Sequence, residues 1–177
     1  MSSSKKASRF SPTGWTANRI FILAVVLLLT VSTLMIWWSN PERARVQKTL
    51  ASAGVHSVAM TVYKSPTCDC CGKWIAYLRE RGFTIRVVEE VDQLAVQQRF
   101  DLPNNVLSCH TATINDYIVE GHVPVDDIVR LLVERPAVAG IAVPGMPTGS
   151  PGMDGRKDPY TVVSFERTGV LTTFAER

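Results

Sequence analysis

The chain has 177 residues, 46% of them hydrophobic and 20% charged, which fits one ordinary domain with an appendage and excludes a disordered or purely solvating chain. Its 11 glycines and 10 prolines are too few for a fibrous repeat. The formal charge of +3 is unevenly placed: residues 1–55 carry seven Lys or Arg against Glu42 alone, which leaves residues 56–177 with twelve basic and fifteen acidic side chains, a poor surface for phosphate backbones, so no nucleic-acid partner is expected.

Residues 1–19 read as a basic cytoplasmic tail. Ile20 to Trp38 follow without a charge, long enough at 1.5 Å per residue to serve as one transmembrane helix across a hydrocarbon core of roughly 30 Å. Trp37 and Trp38 sit where indole rings favour the interface, and Lys5, Lys6, Arg9 and Arg19 outweigh the charge that follows the run. The positive-inside rule therefore puts the N-terminus in the cytoplasm and the rest of the chain in the periplasm. A cleaved signal peptide is the rival reading, but the apolar run exceeds the usual h-region and Met35 to Asn40 offers no small-x-small site. Asn40-Pro41-Glu42 caps a short helix closed by Gly54. Its sparse apolar positions Val46, Leu50 and Ala53 make residues 39–57 a juxtamembrane linker rather than part of a core.

The soluble domain is expected over 58–177. Val58 to Lys64 is β-rich, Ser65-Pro66-Thr67 breaks it, and Cys68-Asp69-Cys70-Cys71-Gly72 leads into a helix with Trp74, Ile75 and Leu78 on one face. Gly82 stops that helix, Phe83 to Glu89 is a second strand, and Asp92 caps a helix running through Phe100. Thr111 to Ile114 and Tyr117 to Glu120 form a hairpin about Asn115-Asp116. Pro124 starts a helix with Asp126 and Asp127 in its first turn. The order β-α-β-α-β-β-α, with cysteines at the first strand-to-helix turn, predicts an α/β, thioredoxin-like fold. A Pro/Gly-rich loop, Pro144 to Tyr160, and a C-terminal hairpin about Thr168-Gly169 extend it.

All four cysteines fall in two places, Cys68, Cys70 and Cys71 together and Cys109 beside His110. Two stapling disulfides are the bland reading, but a domain of this size has little need of them and loops this short remove little chain entropy. Cys68 and Cys71 have the spacing of a redox pair near a helix N-terminus, so a thiol-disulfide oxidoreductase is a serious alternative. Against it stand the third thiol, Cys70, inside the motif and the lack of proline in Leu107 to Thr111, where thioredoxin-like oxidoreductases carry a cis-proline. Thiolates with an imidazole make a soft site for copper(I), zinc or an iron–sulfur cluster. Adjacent cysteines in an extended turn diverge, which disfavours tetrahedral zinc, whereas copper(I) accepts two or three ligands and tolerates bridging thiolates in a multinuclear cluster; copper(I) is preferred. Met146 and Met153, flanking the Pro/Gly loop, offer thioethers to the same metal or simply pin the loop. His122, just before a helix, is open to a ligand role but reads more readily as a hydrogen-bonded structural residue, and His56 is assigned no role.

The runs Tyr63 to Trp74, Ser108 to Ala112, Glu120 to Pro124 and Val143 to Met153 together resemble an uncharacterised-domain family of periplasmic metal-binding proteins that includes copper-resistance proteins of the CopG kind. The resemblance covers about residues 58–175. It implies a thioredoxin-like fold, a bacterial envelope location, and copper handling, with a redox role on copper, in copper tolerance. It implies Cys68, Cys70, Cys71 and Cys109 as metal-binding thiols, with His110, Met146 and Met153 as lesser candidates. The chain departs from relatives with a cleaved signal in carrying a long span with no clear cleavage site, from which an inner-membrane anchored form is expected. Copper ions and other envelope copper-handling proteins are the implied partners.

Overall fold

The computed structural model describes residues 13–38, 40–55 and 58–177 and, within the first helix, the side chains of Arg19 and residues 21–35. The tail residues 1–12 and His56 lie outside the described residues. Two compact units are present, Met1–Asn40 and Pro41–Arg177. In the first, α1 (Thr13–Trp38) is a single helix whose large apolar side chains between Phe21 and Met35 are exposed. Thr30, Ser32 and Thr33 donate their hydroxyls to the carbonyls of Leu27, Leu28 and Thr30, so these polar groups are satisfied within the helix itself. Among the described residues no helix is long and apolar enough to cross a membrane. The expected span includes side chains outside the described residues, at Ile20 and from Ile36 to Trp38.

In the second unit, α2 (Pro41–Ser52) corrects the linker expectation: Val46 and Leu50 are buried in the main core together with Val55. The i, i+4 spacing puts the first two on one helix face, and two aliphatic side chains suffice to dock a three-turn helix. Glu42 pairs with Arg81 at 2.5 Å and Arg45 with Asp126 at 2.8 Å, which fixes the docking at its rim. The unit therefore begins at Pro41.

Next come β1 (Ala59–Lys64), α3 (Asp69–Glu80), β2 (Thr84–Glu89), α4 (Gln93–Arg99), a 3-10 turn at Asn104–Val106, β3 (His110–Ile114), β4 (Tyr117–Glu120) and α5 (Val125–Glu134). This is the element order the sequence predicts. A three-residue strand not anticipated, β5 (Gly140–Ala142), then leads to the C-terminal hairpin of β6 (Thr161–Phe165) and β7 (Leu171–Glu176). One mixed seven-stranded sheet results, in the order β2-β1-β3-β4-β5-β6-β7. Trp74, Ile75 and Leu78 of α3 and Ile128 and Leu132 of α5 share one core against it.

Strand direction positions everything that follows. β1 is parallel to β2 and antiparallel to β3, β3 is antiparallel to β4, and β4 is parallel to β5. The segments leaving β1, β4 and β5 and the segment entering β3 therefore gather at one end of the sheet. Those segments hold Cys68 to Cys71, Gly121 to Val123, the Pro/Gly loop and Cys109.

Candidate metal centre

Cys68 is the N-cap of α3, with its sulfur accepting the Cys71 amide at 3.3 Å. Asp69 in the first turn and the helix dipole orient the turn, and Lys73 on the same face pairs with Asp154 of the Pro/Gly loop. Cys70 and Cys71 thus lie in a helical first turn, not an extended one. The adjacent sulfurs come within 4.8 Å of each other, so the expected divergence of Cys70 and Cys71 is not found. Cys68 and Cys71 are joined as a disulfide, while Cys70 and Cys109 are free thiols. The Cys70 sulfur is 3.5 Å from that of Cys68, and the Cys109 sulfur is 3.6 Å from that of Cys71. All four sulfurs lie within 4.8 Å of one another.

A second trio shares Cys109. Its sulfur lies 3.3 Å from His110 Nδ1 and 3.1 Å from His122 Nε2, and the three donor atoms fall within 4.8 Å of each other. Alternation along β3 turns His110 toward the α3 face, where its ring packs 4.4 Å from that of Trp74 and 5.0 Å, edge-on, from that of His122. Trp74 is held in turn by donating from Nε1 to the Val123 carbonyl at 2.9 Å. His122 Nδ1 lies 2.7 Å from the Pro151 carbonyl, a contact that requires the proton on Nδ1 and leaves the Nε2 lone pair facing the sulfur. His122 thus has the expected structural hydrogen bond and, being buried, is turned onto Cys109 as well.

Burial sets the electrostatics. Loss of solvent, then the neighbouring His122, lowers the His110 pKa to about 3, and burial lowers that of His122 against the opposing pull of the Pro151 carbonyl. Both rings are neutral at physiological pH and keep lone pairs to give. Burial, followed by the proximity of Cys70, pushes the Cys109 thiol up to about 12, so in the metal-free protein it holds its proton. His110 turns Nδ1 to the Cys109 sulfur, while its Nε2 is buried without a hydrogen-bond partner. Soft sulfurs converging with neutral imidazoles fit a soft metal ion once the disulfide is reduced.

The Pro/Gly loop is a strap over this centre. Besides the Pro151 contact, Gly152 packs so tightly that a Cβ there would come within 2.7 Å of the Trp74 amide nitrogen and 2.9 Å of the Cys70 carbonyl oxygen, at a φ of +85°. Gly145 donates to the Leu107 carbonyl at 3.0 Å and accepts from the Ser108 hydroxyl. Of the two sequence-predicted thioethers, Met153 is partly buried next to Gly152, whereas Met146 is 56% exposed.

A family model described as a protein of unknown function, DUF411, matches residues 106–153. Two solved structures, titled copper resistance protein CopG form 1 and form 2, are each 42% identical to this chain at a TM-score of 0.64; they cover 69% of it, and the match spans 98% and 99% of their own lengths. No curated protein matches.

Proposed function

Since the chain belongs to the CopG copper-resistance family, we propose that it binds copper(I) as cargo in copper tolerance, through Cys68, Cys70, Cys71 and Cys109 with His110 and His122. The observation that carries this reading is the convergence of four sulfurs and two neutral imidazoles from α3, β3 and the end of β4. Sulfur and imidazole donors suit copper(I), and crowded thiolates are able to bridge more than one ion. A dithiol reductant opens the Cys68–Cys71 disulfide, taking up the oxidising equivalent as its own disulfide and leaving two protonated thiols. Loading then requires Cys109 to give up a proton that burial holds tightly, so binding releases protons and strengthens as pH rises. Met146 and Met153 are proposed as thioether donors carried by the strap, where they remain unprotonated at any pH.

The strand and helix order from β1 to α5 supports a thioredoxin-like arrangement, with the cysteine turn where such folds place their reactive thiols. The uncharged run from Ile20 to Trp38 and the four positive charges before it support a single-pass anchor in the bacterial inner membrane with the compact unit in the periplasm. Other envelope copper-handling proteins are its proposed partners. Retention in membranes through salt and carbonate washing, with an intact N-terminus, is the expected behaviour; a soluble form beginning between Trp38 and Val55 would indicate cleavage instead.

One observation favours a second reading, thiol-disulfide exchange: the Cys68–Cys71 pair is oxidised. The two separate in one experiment. Fragment 41–177, reduced without oxygen and offered copper(I) and zinc in competition, should take copper(I) and should reduce insulin disulfides poorly. Efficient insulin reduction by copper-free protein, with no preference for copper(I), would establish the exchange enzyme.

A further inference from the structure

On the opposite face of the sheet from the sulfurs sits a buried polar group with no part in the metal centre. Glu120 and Gln97 are buried, and Glu120 Oε1 accepts from both the Gln97 amide at 2.9 Å and the Ser108 backbone N–H at 2.8 Å. Gln97 Nε2 also donates to the Ser108 carbonyl at 2.9 Å. Both backbone groups of Ser108 are therefore held by side chains, and its hydroxyl donates to the Gly145 carbonyl. The residue that follows is Cys109.

We infer that Glu120, acting with Gln97 through the Ser108 backbone, is the positioning residue that holds the Cys109 thiol in the metal centre. Cys109 lies between the 3-10 turn and β3, and the sheet ladder begins only at His110. Immediately upstream of that ladder the regular pairing is an isolated bridge between Ser108 and Gly145 of the strap, so the clamp on Ser108, added to that bridge, and the first ladder residue downstream together determine where the Cys109 sulfur points. The Glu120-Gly121-His122 triplet fits this division of labour. Glu120 faces α4. Gly121, at φ +72°, leaves the space that lets Ser108 approach, since a Cβ there would lie 2.5 Å from the Ser108 hydroxyl oxygen and 2.6 Å from the Val143 carbonyl oxygen. His122 turns back to the sulfurs. A carboxyl group buried with one oxygen, Oε2, unpartnered costs stability that an apolar side chain would not. Its placement makes sense as an acceptor aimed at one backbone amide. Oε1 serves as that acceptor whether or not the group carries a proton.

The inference rests on Cys109 being a ligand, as proposed above, and its test separates the two claims. In reduced, metal-free, full-length protein, iodoacetamide labelling is followed at each cysteine by mass spectrometry, and copper(I) affinity is measured by chelator competition. Glu120→Ala should speed labelling at Cys109 selectively, leaving Cys68, Cys70 and Cys71 unchanged, and should weaken copper(I) binding about tenfold, the scale on which supporting residues of metal sites act. Glu120→Gln, which keeps an acceptor for Ser108, should restore both to within about threefold on the same scale. If Glu120→Ala does not fold, Gln97→Ala carries the test: it removes the second half of the clamp, and labelling selective for Cys109 is again the expected result. Unchanged labelling, equal acceleration at all four cysteines, or failure of Glu120→Gln to restore the wild-type pattern overturns the inference. Copper binding that does not involve Cys109, alongside a selective labelling effect, would fault the ligand assignment and leave the clamp standing.

Discussion

Replacing Gly152 with alanine tests whether the strap is part of the metal centre or merely lies near it. The new Cβ would lie 2.7 Å from the Trp74 amide nitrogen and 2.9 Å from the Cys70 carbonyl oxygen, both backbone atoms of a helix that does not yield. Ordinary contact begins near 3.4 Å, so the strap retreats by about 0.7 Å. A retreat of that size takes the 2.7 Å contact between Pro151 O and His122 Nδ1 to roughly 3.4 Å, beyond a useful hydrogen bond. The lost bond and the desolvated ring nitrogen cost about 1–3 kcal/mol, and a φ of +85° adds about 1–2 kcal/mol for an L side chain. The total of about 2–5 kcal/mol falls on the strap, because α3 and the sheet keep their core contacts. Hydrogen exchange over residues 144–158 should accelerate while α3 and β3 stay protected, and copper(I) affinity should fall as His122 loses its orientation. Unchanged exchange and unchanged affinity would refute the reasoning.

Leu50→Ala, at a site only 2% exposed, should lower the unfolding free energy by about 2–5 kcal/mol; a change below about 0.5 kcal/mol, the scale of a surface substitution, would return α2 to the role of spacer. Glu120 gives the metal-free protein a pH dependence of defined sign. Burial raises its pKa from 4.5 to about 7, against the hydrogen bonds from Ser108 and Gln97, neither of them charged. Between those values the folded protein keeps a proton that the unfolded chain has lost, so the contribution of Glu120 to stability falls as pH rises through this window, by about 3 kcal/mol in all, and levels above it. His110 and His122, held neutral by burial, act in the opposite direction over part of the same range, so the readout is the difference between two proteins: from pH 5 to pH 8 in denaturant titrations, Glu120→Gln should gain about 2–3 kcal/mol on wild type, and equal slopes would contradict the assignment.

Much of the architecture is legible in the chain because its signals are local. Strand alternation in Ala59–Lys64, the Asp92 cap, the Asn115-Asp116 turn and the helical face of Trp74, Ile75 and Leu78 each depend on neighbours within a few residues. What escaped depends on partners far away. Gly140–Ala142 is too short to show a period, and becomes a strand because β4 and β6 flank it. Val46 and Leu50 look sparse in sequence and become core only when α5 arrives beneath them. In the site, the four cysteines and His110 announce themselves by chemistry and spacing. His122 does not, because its meeting with Cys109 follows from β3 and β4 being paired antiparallel, which brings the entrance of one strand beside the exit of the other. Placing His122 after the predicted hairpin, opposite Cys109, was the available signal. The helical dihedrals of Cys70 and Cys71 were equally hidden, since Cys68 rather than a residue beyond the cluster caps the helix.

The account stands on one claim, that a metal site is shared between the first turn of α3 and the entrance to β3, and Cys109 is the thiol that tests it. Cys109→Ser should be compared with wild type in reduced protein by copper(I) competition and by the intensity of thiolate-to-copper absorption. The substitution nearly conserves volume and should cost the metal-free fold only about 1–3 kcal/mol. Copper(I) affinity should fall by about tenfold or more, with the absorption losing the contribution of one sulfur. Unchanged affinity and stoichiometry would contradict the shared site and confine binding to Cys68, Cys70 and Cys71.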